Sequence, residues 1–288
     1  MRNYPEVSIV VVAFNRATML NEILEQIRNQ SFKNFEVIIC DDCSTDNTNE
    51  IAIRFVEEDN RFRYIRNQIN IKMPHNLNNG IKQSKSKYIA ILHDDDIIVN
   101  DTIEKWYQAI TDQAKPAFAF NEYICLDENL KLVEKYSEHL PFISTGEHIM
   151  KKIFYNRKTF GSPVWGSVMV RKDSLLGEGL FDNEYGFYSD VDMWLKLCEK
   201  NNIAYIKEPL VYIRNKKSAP HLFDDDIEIT QKIIQSIFLA SRVRYIKRYL
   251  IRGIAEIAKH YCFKLYTSMY IYAIKIKQTI KVRNNSQS

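Results

Sequence analysis

Apolar residues fall along this chain in two alternating textures. Residues 7–14, 35–40, 62–65 and 88–92 are short runs rich in β-branched and aromatic residues, which predicts strands, the first of them buried on both faces of a sheet. Between them the period lengthens. Leu20, Ile23, Leu24 and Ile27 fall at i, i+3, i+4 and i+7 and give a helix one apolar face; residues 74–84 predict another helix, and 101–113 a third through Ile103, Trp106, Tyr107 and Ile110. Strands alternating with helices predict an α/β fold around a mostly parallel sheet, with ligands beyond the carboxyl ends of its strands.

Two of those carboxyl ends are acidic. The run 35–40 stops at Asp41-Asp42, followed by Ser44-Thr45-Asp46-Asn47, residues suited to a turn and a helix cap. The run 88–92 stops at His93-Asp94-Asp95-Asp96. Three adjacent carboxylates repel one another, and an apolar strand delivers them to the edge of a core. A divalent cation removes that conflict, because Mg²⁺ is typically held by one or two carboxylates together with substrate phosphates; an acidic turn before the next helix is the other reading. In a parallel sheet Asp41, Asp42 and the 94–96 triplet line one crevice although about fifty positions separate them.

Past residue 116 a second region begins, with a strand at 117–125, a turn at 127–130 and a return strand. Thr145 caps a helix that turns Ile149, Ile153 and Phe154 inward. Residues 160–166 read as a shaped loop in which Trp165 is either a packed aromatic or a ligand platform. A helix opening at Ser189 has Val191, Trp194, Leu195 and Cys198 as its buried stripe. Asp190 and Asp192 stand in its first turn, where they either complement the helix dipole or do chemistry. Short strands at 204–206 and 209–213 follow. The expected organisation is residues 1–115, residues 116–226 and a helical extension over 227–288.

Composition narrows the chemistry. Among 288 residues, 45% are hydrophobic, enough for a core, and the net charge of +4 argues against nucleic acid as the main partner. Eight Gly are present, and neither G-x-x-x-x-G-K-S/T nor G-x-G-x-x-G occurs, so any phosphates are held by a metal rather than by a glycine loop. Of five Cys, Cys40 and Cys43 form the one close pair, around two aspartates that raise thiol pKa values. That suits ordinary thiols in a reducing compartment rather than a redox or zinc pair. The apolar run from Val7 is too short for a secretory signal or a span, which predicts a cytoplasmic protein. Residues 242–283 carry eleven Lys or Arg against Glu256, interleaved with Tyr245, Tyr249, Tyr261, Tyr266 and Tyr270. Such a segment suits an anionic membrane surface, which would make the protein peripheral on the inner face of the membrane; a nucleic-acid contact and a solvated helical tail are the other readings.

Four ordered segments then resemble a known family: residues 7–16 ending in Phe14-Asn15-Arg16, residues 35–48 around Asp41-Asp42, residues 92–96 with the acidic triplet, and residues 189–195 from Ser189-Asp190. Over roughly residues 5–215 the chain resembles the family-2 inverting glycosyltransferases of the GT-A fold. The resemblance implies that Phe14, Asn15, Arg16, Asp42, Asn78 and Asp94 bind a nucleotide diphosphate sugar, with Asp42 accepting the imide N–H of a uracil or thymine. It implies that Asp95 reaches a Mn²⁺ or Mg²⁺ ion bridging the diphosphate. Asp190 is then the general base that takes a proton from an acceptor hydroxyl on a saccharide or lipid-linked saccharide. The chain departs from the family pattern at His93, usually Asp, at Leu77, often Arg, and at Ser189, usually Glu. Lys72 or Arg66 is expected to stand in for the missing Arg. Two other functions compete. A nucleotidyltransferase would normally bring a basic glycine loop, which residues 15–19 lack; an inactive nucleotide-sugar-binding or membrane scaffold would not turn Asp190 into the crevice.

Overall fold

The computed structural model describes residues 4–156, 166–214 and 235–244. In chain order the elements are β1 (Val7–Ala13), α1 (Ala17–Arg28), β2 (Phe35–Asp41), α2 (Thr48–Glu58), β3 (Phe62–Arg66), α3 (Met73–Gln83), β4 (Tyr88–His93), β5 (Asp96–Ile98) and α4 (Thr102–Ile110). The second half adds β6 (Phe118–Leu126), β7 (Leu132–Tyr136), β8 (Ile143–Thr145), α5 (Gly146–Asn156), β9 (Val168–Arg171), α6 (Lys172–Gly177), a 3-10 turn (Asn183–Tyr188), α7 (Ser189–Cys198) and β10 (Asn202–Arg214).

The expected βαβ alternation is present. Strands run in the order β3-β2-β1-β4-β9-β6-β10-β5, and the first four are mutually parallel. Every residue of β1 and β2 is buried, as their unbroken apolar runs require. In α1 the predicted face Leu20, Ile23, Leu24 and Ile27 is fully buried, worth about 1.5–3 kcal/mol per side chain relative to exposure. Helix α3 comes closer to the sheet than a side chain allows. A Cβ on Gly80 would lie 2.5 Å from Cys40 Sγ and 2.6 Å from Val10 Cγ1, so glycine is what lets α3 rest on β1 and β2.

The second half does not form a separate sheet. β9 pairs antiparallel with β4 on one side and with β6 on the other, and β6 runs parallel to β10. The two strands expected at 204–206 and 209–213 are one strand, β10, whose register slips on either side of Pro209. Proline has no N–H to give to the ladder, which accounts for the slip. Strand β5 was not distinguishable from a loop. It follows β4 after two residues, yet it pairs with β10 and so lies four strand steps from β4 along the sheet. Laid flat, four steps span about 19 Å, whereas the three residue steps from His93 to Asp96 reach about 11 Å at most. The sheet must therefore curl so that β10 brings β5 back beside the end of β4.

Contacts divide the chain into two compact units, Met1–Ile237 and Phe238–Ser288. Of the second, the described residues 238–244 are helical. Trp165, and the basic segment beyond its first three residues, lie outside the described residues. Among those described, no helix is long and apolar enough to cross a membrane.

Candidate active site

Three strand ends and the first turn of α7 supply the site. At the end of β1 the backbone turns through Asn15, which takes φ 52°, a left-handed conformation that Asn tolerates better than most residues. The turn is tied to the end of β2. Ser44 Oγ accepts the Asn15 N–H at 2.9 Å, Asn15 Oδ1 accepts the Thr45 N–H at 2.7 Å, and Asp46 Oδ2 accepts the Ala17 N–H at 2.9 Å. These supports were not singled out from sequence, although Ser44-Thr45-Asp46 had been read as turn-forming. Phe14 stays on the rim with 44% exposure, enough to leave a ring face open to a ligand.

The same turn reaches the end of β4. The Phe14 N–H donates to Asp94 Oδ2 at 3.2 Å. Arg16 Nη1 donates to Asp94 Oδ1 at 2.8 Å and to Asp95 Oδ2 at 3.0 Å, so one nitrogen bridges two carboxylates. Burial pushes Asp94 up to about 6 against the pull of Arg16. Asp96 is raised further by burial; it accepts the His93 N–H, and a Cβ on Gly166 would lie 2.0 Å from its Oδ2. Asp96 is thus packed into the fold. Asp95, with 17% of its side chain exposed against 4% for Asp94, is the more outward of the two acids that Arg16 joins. His93 Nε2 is buried without a hydrogen-bond partner among the described residues, and burial lowers the imidazole pKa.

These residues fit a hard divalent ion. Two adjacent carboxylates, one facing outward, already share a cationic donor, and carboxylate oxygens with a diphosphate are what Mg²⁺ or Mn²⁺ takes. No cluster of three or more acidic, His or Cys side chains suited to a metal occurs among the described residues, so substrate and water oxygens would complete the coordination.

At the end of β2 the two acids divide their work. Asp41 is fully buried; it accepts the Tyr64 hydroxyl at 2.6 Å and the Ser44 N–H at 2.9 Å, and lies 3.7 Å from Arg66 Nε. Asp42 accepts Asn67 Nδ2 at 3.0 Å and the Ile71 N–H at 2.8 Å on Oδ1, and the Lys72 N–H at 2.8 Å on Oδ2. A carboxylate offers about four acceptor sites, so Oδ2 keeps one for a ligand. Lys72 reaches this position with φ 71°, which no sequence pattern announced. Asn78 is held at both ends of its amide. Its Nδ2 donates to the Phe181 carbonyl at 2.8 Å and its Oδ1 accepts the Phe181 N–H at 3.1 Å. The amide clamps α3 to the turn that leads into α7. Beside the clamp lies a cavity of about 810 Å³, lined among others by His75, Asn79, Lys82, Glu178, Asp182 and Lys196.

Asp190 comes to the same edge of the sheet from the second half. Val168 of β9 faces Ile91 of β4 and Phe120 of β6, so Asp94 and Tyr123, each three residues further on, stand level. Asp190 is 6% exposed and close enough to Tyr123 for its charge to add to the burial that raises the phenol pKa. Its own carboxyl is pushed up to about 8 by burial, while hydrogen bonds from the Val191 N–H, at 2.7 Å, and from its own N–H work the other way.

Comparison with known proteins agrees with this fold. The sequence pattern of glycosyl transferase family 2 matches residues 8–172. A Campylobacter jejuni GalNAc(5)-diNAcBac-PP-undecaprenol beta-1,3-glucosyltransferase is 29% identical over 209 residues, 72% of this chain and 64% of that protein; the chain thus spans less than two thirds of that relative's length. S. aureus TarS 1-349 in complex with UDP-GlcNAc superposes with a TM-score of 0.66 at 16% identity, covering 86% of this chain and 73% of that one. The mannosyltransferase PcManGT from Pyrobaculum calidifontis, in complex with GDP-Man and Mn²⁺, gives 0.57 at 15% identity, covering 85% and 65%. At such identities the solved structures speak for the fold.

Proposed function

Because this chain belongs to glycosyl transferase family 2, we propose that it moves a sugar from a UDP-sugar to a hydroxyl of a saccharide or lipid-linked saccharide, inverting the anomeric carbon. The observation that supports the reading is that Asp42, Asp94 and Asp95 stand at or just past the ends of β2 and β4, while Asp190 of α7 lies near Tyr123 of β6, which stands level with Asp94. The nucleotide base meets the free lone pair of Asp42 Oδ2, with the exposed ring of Phe14 beside it. Asp95 and Asp94 would hold a divalent cation, whose chemistry when bound would be to neutralise the charge that develops on the departing diphosphate. Asp190 accepts the acceptor hydroxyl's proton on Oδ1 or Oδ2 as that oxygen attacks the anomeric carbon. One reacting carboxylate means one displacement, and hence inversion. The C. jejuni relative's lipid-linked saccharide and the Mn²⁺ of the PcManGT complex support the acceptor class and the metal. We further propose that the basic segment 242–283 holds the protein against an anionic cytoplasmic leaflet, close to such an acceptor. The test is a panel of UDP-, GDP- and dTDP-sugars incubated with Mn²⁺ and no acceptor. Slow hydrolysis of one UDP-sugar, abolished by EDTA, is the expected result; no hydrolysis or binding of any of them overturns the proposal.

A further inference from the structure

We propose that Arg16 is a built-in counter-ion that occupies the cation's place between Asp94 and Asp95 and hands it over when a nucleoside diphosphate arrives. The inference rests on the metal reading above and deepens it. Its ground is the shape of the contact. Arg16 does not pair with one carboxylate through both arms of its fork, the arrangement that guanidinium geometry favours. A single nitrogen, Nη1, lies 2.8 Å from Asp94 Oδ1 and 3.0 Å from Asp95 Oδ2, so one donor group serves both carboxylates. Both hydrogen bonds from the guanidinium to the two acids come from that nitrogen.

Three features make the handover possible. Arg16 is 37% exposed in its side chain, so its head can leave without opening the core. It stands at the N-cap position of α1 but makes no side-chain cap bond there, so the helix does not depend on where the guanidinium points. The Phe14 N–H keeps its grip on Asp94 Oδ2 independently, so Asp94 stays oriented when Arg16 moves. The two acids are adjacent carboxylates that repel each other, and Arg16 lies within ion-pair distance of both. Arg16 supplies positive charge with its own side chain. It therefore competes with a free divalent ion, and a diphosphate, which an arginine fork binds through two parallel hydrogen bonds, draws it off the carboxylates.

The consequence is an order of binding: metal alone binds weakly, and metal with nucleotide binds well. Arg16 is a positioning residue in this scheme. A unit positive charge a few ångströms from a divalent ion weakens its binding on the order of tenfold even at the dielectric constant of water. The experiment is an electron paramagnetic resonance titration of Mn²⁺ into the full chain, with and without UDP, for wild type, Arg16→Gln and Arg16→Lys. Arg16→Gln should bind Mn²⁺ alone on the order of tenfold more tightly than wild type, Arg16→Lys should stay near wild type, and UDP should narrow the gap. Unchanged or weaker Mn²⁺ binding by Arg16→Gln without UDP overturns the counter-ion role while leaving the metal site standing. Should none of the three proteins bind Mn²⁺ even with UDP, the metal reading itself fails and this inference goes with it.

Discussion

Asp190 and Asp192 share the first turn of α7 and are both buried, yet they meet opposite surroundings. Asp192 Oδ2 lies 2.5 Å from Lys196 Nζ, one turn on, whereas among the described residues the Asp190 carboxylate accepts only the N–H of Val191 and its own backbone N–H. An ion-paired carboxylate is a poor base because its charge is already stabilised. On the proposed mechanism, Asp190 rather than Asp192 is the base. Asp190→Asn should lower kcat by about 10²–10⁴-fold with little change in donor affinity, and Asp192→Asn should cost far less activity. Single-turnover rates with donor saturating separate the two; the reverse ranking moves the base to Asp192.

The same burial sets a pH dependence. Asp190 binds its proton up to about pH 8 in the folded chain, so turnover should climb as pH rises through that value. The stability sign follows from the raised pKa. The folded state favours protonated Asp190, so this contribution is complete below the ordinary carboxylate range near pH 4 and is lost as pH rises through about 8. Asp190→Asn should accordingly melt at a higher temperature than wild type at pH 8, by the equivalent of a few kcal/mol, and lose most of that advantage at pH 4. Parallel melting curves at the two pH values measure it.

Asp95→Ala should abolish Mn²⁺ binding in the presence of UDP and reduce transfer by at least about a hundredfold, since it removes the more outward carboxylate of the pair that would hold the ion. Folding should survive, because the side chain is partly exposed. Isothermal titration with UDP and Mn²⁺ together is the measurement; undiminished heat in the variant shifts the metal away from Asp95.

Asn78→Ala should cost about 2–4 kcal/mol in urea unfolding, because both Phe181 backbone groups lose their partner in a buried setting. A loss of donor affinity without a loss of stability would instead place Asn78 at the ligand.

Gly80→Ala sets two effects against each other. Alanine favours a helix over glycine by about 1 kcal/mol, but its Cβ meets Cys40 Sγ and Val10 Cγ1 well inside contact distance. Both neighbours are fully buried and cannot retreat, and overpacking costs typically about 1–3 kcal/mol. The melting temperature should fall.

The architecture was legible where burial is symmetrical. β1 and β2 are apolar without a break because both faces of the sheet are covered, and α1 shows its face because one side of it is wet. β5 was illegible: three residues carry no period, and Asp96 looked like part of an acidic turn rather than a strand residue packed against Gly166. In the site, Asp94 and Asp95 were readable from their position after an apolar strand. The engagement of Asp42 with 71–72 was not, because it depends on a left-handed backbone at Lys72. The choice between Asp190 and Asp192 had a readable clue, since Lys196 stands four residues after Asp192, the spacing of a helical ion pair.

The curl of the sheet has a consequence for how this chain can vary. Asp94 and Asp95 are the whole of the connection between β4, in the parallel half, and β5, held by β10 in the other. A connection pinned at both ends by strand registers has no slack. One residue added or removed there would shift β5 by one place against β10 and turn its alternate side chains to the wrong face. The 127–131 turn between β6 and β7, on an exposed hairpin, carries no such constraint and can lengthen freely. Evolution can therefore reshape the rim of this fold by insertion, but it can alter the carboxylate turn only by exchanging one side chain for another.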